Sequence, residues 1–202
     1  MFGFVGERPD PVLIRQAALL AGTRGPHAWG WAWVERAPEG PALRVQRGLG
    51  LVREHLEALD ASTREAPALI GPCRLATSGD WRREDNNQPL LGPRWAVAHN
   101  GTVPGAGVIM AEQGWKPQTE NDSEALLAVF ERAREEAAMT AGLEVLGRVA
   151  TPLAALFLCP RALVVVRRGH PLWEVSREEG TYFCSRRLEG ARPMPQPAAT
   201  RY

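Results

Sequence analysis

Cysteine is scarce in this chain of 202 residues: three in all, at Cys73, Cys159 and Cys184. The odd count, the lack of metal-ligand spacing and the apolar setting of each argue against a disulfide framework or a metal site. They read as reduced, buried thiols of a cytoplasmic protein. Charge of one sign is not in excess either, since 24 basic side chains face 23 acidic ones. That balance excludes the broad electrostatic face of a nucleic-acid or membrane-surface binder. Long hydrophobic runs are absent too: the longest, around Pro152–Cys159 and Ala162–Val166, fall far short of a bilayer span. The start, Met1-Phe2-Gly3-Phe4-Val5-Gly6, has no basic region and meets Glu7 and Arg8 at once, unlike a secretory leader.

What is present suits one packed domain. Hydrophobic residues make up 45% of the chain, enough for a substantial core. Met1–Gly6 reads as a first strand. Asp10 and Pro11 then supply an N-cap and a first helical position, and Val12, Leu13, Ala17 and Leu20 repeat at helical spacing up to Gly22. Trp29, Trp31 and Trp33 alternate along a second strand and so share one face, most simply a core face. A turn at Pro38–Pro41 leads to a returning strand, Ala42–Gln46, and then to a helix over Val52–Leu59 with Leu56 and Leu59 inward.

Strands are expected at Ala68–Ala76 and Trp95–His99. The polar stretch between them, Thr77–Gln88, has no apolar period and is long enough to be a functional loop. Asn121-Asp122-Ser123-Glu124 caps a helix predicted to run through Ala138, and a second helix is expected over Glu144–Val149. Strands at Leu153–Leu158, Ala162–Arg167 and Gly180–Ser185 follow. The stretch 191–202 is set apart from a domain spanning 1–190 as a proline-rich tail, extended or disordered. Irregular alternation of this kind suits helices packed outside a largely antiparallel, two-sheet core, an α+β fold. His27, His55 and His170 have no paired nucleophile in sequence, and His99 is expected to be buried and hydrogen-bonded within its turn.

Several segments, in order, resemble class II glutamine amidotransferases. Ile70-Gly71-Pro72-Cys73-Arg74-Leu75-Ala76-Thr77-Ser78-Gly79 is similar to the arginine-bearing strand of that family. Asn87-Gln88-Pro89 and Trp95-Ala96-Val97-Ala98-His99-Asn100-Gly101-Thr102 resemble its loop, strand and His-Asn-Gly turn. Thr119–Glu124 resembles its next helix start, His27–Trp33 its second strand, and Arg168–Trp173 with Phe183–Ser185 its closing hairpin. Each motif alone is weak, but together they span nearly the whole chain.

The resemblance implies an N-terminal-nucleophile hydrolase fold, a four-layer αββα sandwich. It also implies roles. Arg74 would meet the α-carboxylate of glutamine and Asp122 its α-ammonium, with Thr77 and Ser78 lining the pocket, although Ser78 stands where histidine is common. The Asn100 amide and the Gly101 N–H would form an oxyanion hole. No cofactor is implied, and an ammonia-using role would need a partner protein such as a synthase.

One position departs from the pattern. Family members begin Met-Cys-Gly, and removal of the methionine leaves cysteine to supply both thiolate and free α-amine, whose ordinary pKa of about 8 suits a base. Here that position is Phe2, which has no nucleophilic atom and, being large, should leave Met1 in place. Cys73 adjoins Arg74, but strand alternation turns neighbours to opposite faces, so it is a poor substitute. The expectation is a pseudoenzyme that scaffolds a complex or binds glutamine or a related amino acid. The alternative is an active amidotransferase with an unrecognised nucleophile. Arg74, Asn100 and Asp122 also have a structural reading, as groups holding loops and caps together.

Overall fold

The computed structural model describes residues 1–23, 25, 27–74 and 79–202, with the backbone alone at Cys73 and Arg74. Among these residues the chain forms two antiparallel sheets between helical layers. Strand β1 (Phe2–Gly6) leads to helix α1 (Pro11–Gly22), then to the long hairpin β2 (Ala28–Ala37) and β3 (Gly40–Leu49). After α2 (Leu56–Thr63), strands β4 (Ala68–Gly71) and β5 (Cys73–Arg74) return to the same sheet. The short β6 (Leu90–Leu91) and β7 (Ala96–Gly101) open the second sheet. Helices α3 (Ala106–Glu112), α4 (Glu124–Arg132) and α5 (Ala138–Arg148) follow, then β8 (Leu153–Cys159) and β9 (Ala162–Arg168). The chain ends with β10 (Trp173–Arg177), β11 (Gly180–Cys184), β12 (Arg192–Pro193) and β13 (Ala198–Arg201).

The first sheet runs β12-β10-β11-β1-β4-β2-β3, with β5 also on β2; the second runs β13-β9-β8-β7-β6. Three apolar clusters hold the layers together. One lies between the first sheet and α1–α2 and contains Phe2, Phe4, Ile14, Trp29, Trp31 and Leu59. A second fills the space between the sheets, with Met1, Ala98, Ala154, Leu156, Leu172 and Phe183. The third joins the second sheet to α4 and α5, where the rings of Phe130 and Phe157 stack 3.6 Å apart. The α+β four-layer architecture expected from the sequence is the one observed.

Local signals explain much of this. Asp10 caps α1 by accepting from the Val12 N–H at 2.8 Å, and Pro11 occupies its first turn. The face that α1 buries is Ile14, Ala17, Ala18 and Ala21, while Val12 stands 70% exposed. The three tryptophans do share a face. Trp29 and Trp31 stack at 4.7 Å, the Trp31 indole donates to Ser62 Oγ at 2.7 Å, and Trp33 packs at the edge of the same cluster.

Other boundaries differ from the sequence reading. The strand expected over Ala68–Ala76 breaks at Pro72 into β4 and β5, with 75 and 76 outside the described residues. The helix expected over Val52–Leu59 is a 3-10 turn, Val52–Glu54, followed by α2. The helix predicted to reach Ala138 stops at Arg132, because Ala133 and Arg134 are extended, and α5 begins only after a 3-10 turn at Glu135–Ala137. Residues 191–202 carry β12 on β10 and β13 on β9, and Tyr202 donates to Glu174 Oε2 at 2.8 Å while its ring meets Phe183 edge-on.

Candidate functional site

Of the site residues anticipated from sequence, Phe2 opens β1, Asn100 and Gly101 end β7, and Asp122 precedes α4, with β4 of the first sheet packed against β7 of the second. Phe2 opens β1, paired with Cys184 on one side and Gly71 on the other. Its ring is completely buried in the helix-covered cluster and lies so close over Gly71 that a Cβ there would sit 2.2 Å from Cζ. A strand turns successive side chains to opposite faces, so the side chain that enters the space between the sheets is that of Met1, 1% exposed. The Met1 amino group donates to Ser185 Oγ at 3.0 Å, and the Ser185 N–H returns a bond to the Met1 carbonyl at 2.9 Å.

Strand β7 carries the other half. Ala96 and Ala98 face the inter-sheet core, and by alternation Asn100 shares their face. Asn100 Nδ2 is buried with no hydrogen-bond acceptor among the described residues. Gly101 follows at φ +140°, and a Cβ there would lie 2.7 Å from both His99 Nε2 and the Pro152 carbonyl, so only glycine fits. Asp122 Oδ2 accepts from the Val103 N–H at 2.7 Å, which ties the approach to α4 to the turn leaving β7. Asp122 therefore braces that turn, while α4 itself starts at Glu124 with Ser123 as its N-cap residue.

Gln88 and Ser123, to which the sequence reading gave no role in the site, complete the frame around His99. His99, 5% exposed, shares Ser123 Oγ at 3.0 Å from Nδ1, and Gln88 bridges both: its Nε2 donates to Ser123 Oγ and its Oε1 accepts from the His99 N–H. Burial pushes the His99 pKa down to about 4, against the opposing pull of Asp122. His99 is buried and bonded as expected, but its partners, Gln88 and Ser123, lie outside its own turn. The signal for its partners was the Asn87-Gln88-Pro89 and Asn121–Glu124 motifs, whose side chains meet only in three dimensions.

The described part of the polar loop, from Gly79 to Gln88, is pinned by Glu120. That carboxylate accepts from the Asp80 N–H at 3.1 Å, from Arg83 Nη1 at 3.0 Å and from Asn86 Nδ2 at 3.0 Å. The bond from the Asp80 N–H is the main reason its pKa is lowered. Asn86 in turn accepts from the Glu120 N–H at 2.9 Å. At the loop's other side the Trp81 ring stacks on His27 at 5.0 Å.

Arg74 is placed by its backbone, opposite Ala28 in β2; its side chain and that of Cys73 lie outside the described residues, as do Thr77 and Ser78. Cys159 and Cys184 are free and buried, and burial raises both thiol pKa values, which keeps them protonated and unreactive. Among the described residues there is no cluster of side chains able to hold a metal ion, and no helix is long and apolar enough to cross a membrane.

Solved structures carry the same fold. The glutamine phosphoribosylpyrophosphate amidotransferase from B. subtilis, in complex with ADP and GMP, superposes with a TM-score of 0.71 over 96% of this chain at 22% identity. The fold is that of class II glutamine amidotransferase domains. A structure described as the allosteric regulatory enzyme of purine biosynthesis gives 0.72 over 91% of this chain, also at 22% identity. A glutamine aminotransferase class-II domain protein from Silicibacter pomeroyi gives 0.61 at 18% identity and is covered over 97% of its own length. The chain spans less than half of the first two proteins, 44% and 41%. No protein-family model and no curated protein matches the sequence. At this identity the likeness speaks for the amidotransferase fold, two antiparallel sheets between helices.

Proposed function

We propose that this chain is a glutamine amidotransferase-like domain without glutaminase activity, which acts in the cytoplasm as a binding or scaffolding subunit or as an amino-acid-binding module. The observation that carries the reading is Phe2. The position that the family resemblance assigns to the nucleophile holds a ring with 0% exposure, packed over Gly71 and the helix-side core. A phenyl group offers no lone pair to attack a carboxamide, and the two described cysteines are buried. The binding half of the reading draws on Asn100, whose buried amide donor lacks an acceptor among the described residues, and on Asp122, which braces the turn leaving β7. In this reading Arg74, Thr77, Ser78 and Asp122 line the ligand pocket, Asn100 and Gly101 keep the geometry of an oxyanion hole, and an ammonia-accepting synthase or a complex subunit is the kind of partner implied.

Calorimetry with glutamine and related amino acids tests the binding half. Binding in the micromolar to millimolar range that is lost in folded Arg74→Ala and Asp122→Ala proteins supports an amino-acid module. Variants that fail to fold point to a scaffold whose motif residues serve the structure. Ammonia release by the wild-type protein, abolished in Cys73→Ser, would replace the proposal with an active enzyme using Cys73.

A further inference from the structure

The open edges of the two sheets differ sharply in length. Strands β6, β12 and β13 end their sheets with two, two and four residues, short enough to offer another chain little to pair with. Strand β3 ends the first sheet with ten, Gly40–Leu49, and pairs residue for residue with β2 from Ala37↔Gly40 to Ala28↔Leu49, without a bulge. Two residues fix which backbone groups face outward. Pro41 has no N–H, so its pair with Arg36 is a non-hydrogen-bonded one, and the Gly50 N–H, one step past the strand, donates to the His27 carbonyl at 3.1 Å. Even-numbered residues therefore turn their backbone groups to β2, and Leu43, Val45 and Arg47 turn theirs to the open edge. Among the described residues no backbone hydrogen bond takes the N–H or C=O of these three.

We propose that β3 is the seat of a symmetric dimer, in which two copies of this chain pair their β3 edges antiparallel about a two-fold axis at Val45. A continuous sheet keeps each side chain on its own face, so the axis passes through a residue position. At Arg44 it would set two guanidinium groups directly opposite each other, which is destabilising. At Gln46 it would leave residues 40–42 unpaired. At Val45 it sets Arg44 opposite Gln46 of the second copy, and each outward N–H from Leu43 to Arg47 meets an outward carbonyl. The inner face suits the same pairing. Leu43 and Val45 pack on the core between the sheets, and a groove lined by Leu43, Leu91, Pro93 and Pro160 adjoins Leu43, with Leu91 44% exposed. A second β3 carrying its own Leu43 and Val45 extends that apolar face in an isologous contact. The dimer does not depend on amino-acid binding.

Sedimentation velocity over a concentration series tests this. The wild-type protein should sediment with twice the 22.1 kDa chain mass at about 100 μM, and a monomer at that concentration overturns the proposal. Val45→Pro removes an outward N–H from each copy and no bond within the fold, so the variant, shown folded by circular dichroism, should be monomeric. Gln46 is exposed, so its charge can be changed without disturbing the core. Gln46→Glu places a carboxylate opposite Arg44 in both symmetry-related pairs and should tighten the dimer about two- to thirtyfold; Gln46→Arg should loosen it to a similar extent. A dimer indifferent to Val45→Pro and to the charge at position 46 is built on another surface, and one that Gln46→Glu loosens has another register. Either result overturns the proposal.

Discussion

Replacing Phe2 by cysteine, the residue that the family resemblance would place there, should destabilise the fold substantially. The ring is fully buried between β1, β4 and α1, and truncating such a ring to alanine typically costs about 3–5 kcal/mol through lost transfer energy and the cavity left behind. A cysteine sulfur recovers roughly the worth of one methylene, about 1 kcal/mol, which leaves a loss of about 2–4 kcal/mol. Urea unfolding followed by tryptophan fluorescence should show the midpoint falling with an unchanged slope. The contact with Gly71 sharpens the test. Gly71→Ala puts a Cβ 2.2 Å from Phe2 Cζ and should be strongly destabilising in the wild type, yet much less so in the Phe2→Cys background. A double-mutant cycle should therefore show a coupling on the order of 1–3 kcal/mol. A Phe2→Cys loss below about 1 kcal/mol, or additive effects in the cycle, would refute the idea that position 2 has become a core position.

Three further outcomes follow from the same geometry. His99 should stay neutral down to about pH 4; its folded pKa lies below the ordinary 6.5, so its contribution to stability is full above pH 6.5 and fades as pH falls to about 4. The loss should be on the order of 3 kcal/mol, read as the urea midpoint against pH and absent in a folded His99→Gln protein. Glu120→Ala should release the 79–88 loop, seen as faster amide exchange at Asp80 and around Asn86, while the midpoint of global unfolding moves little because the carboxylate is exposed. Tyr202→Phe should lower stability by about 1 kcal/mol through the lost bond to the buried Glu174, which differential unfolding curves would resolve.

Much of the fold was legible because its signals are local. Asp10-Pro11 starts α1, and alternation marks the tryptophan strand. The two short apolar runs give β8 and β9, which are buried on both faces. The break after Arg132 was not legible, since neither glycine nor proline marks Ala133 and Arg134; tertiary packing of α4 against α5 decides it. Helix α3 escaped notice because seven residues containing Gly107 present too short a period. Strand β13 has little apolar patterning of its own and exists because β9 offers an open edge. At the site, Asn100, Gly101 and Asp122 could be read from motifs. The bridge from Gln88 through Ser123 to His99 could not, because its members lie 11 and 24 residues apart from His99 and meet only on folding. That Met1, and not Phe2, faces the space between the sheets depends on strand register, which only the structure supplies.

The central claim is that this amidotransferase fold has no working nucleophile at the start of β1. The most direct test is a coupled assay for glutamate release from millimolar glutamine by the purified wild-type protein, with its N-terminus verified by intact mass. The account predicts a protein that retains Met1 and releases glutamate no faster than its heat-inactivated control. Glutamate release above that control, proportional to protein concentration, would contradict it.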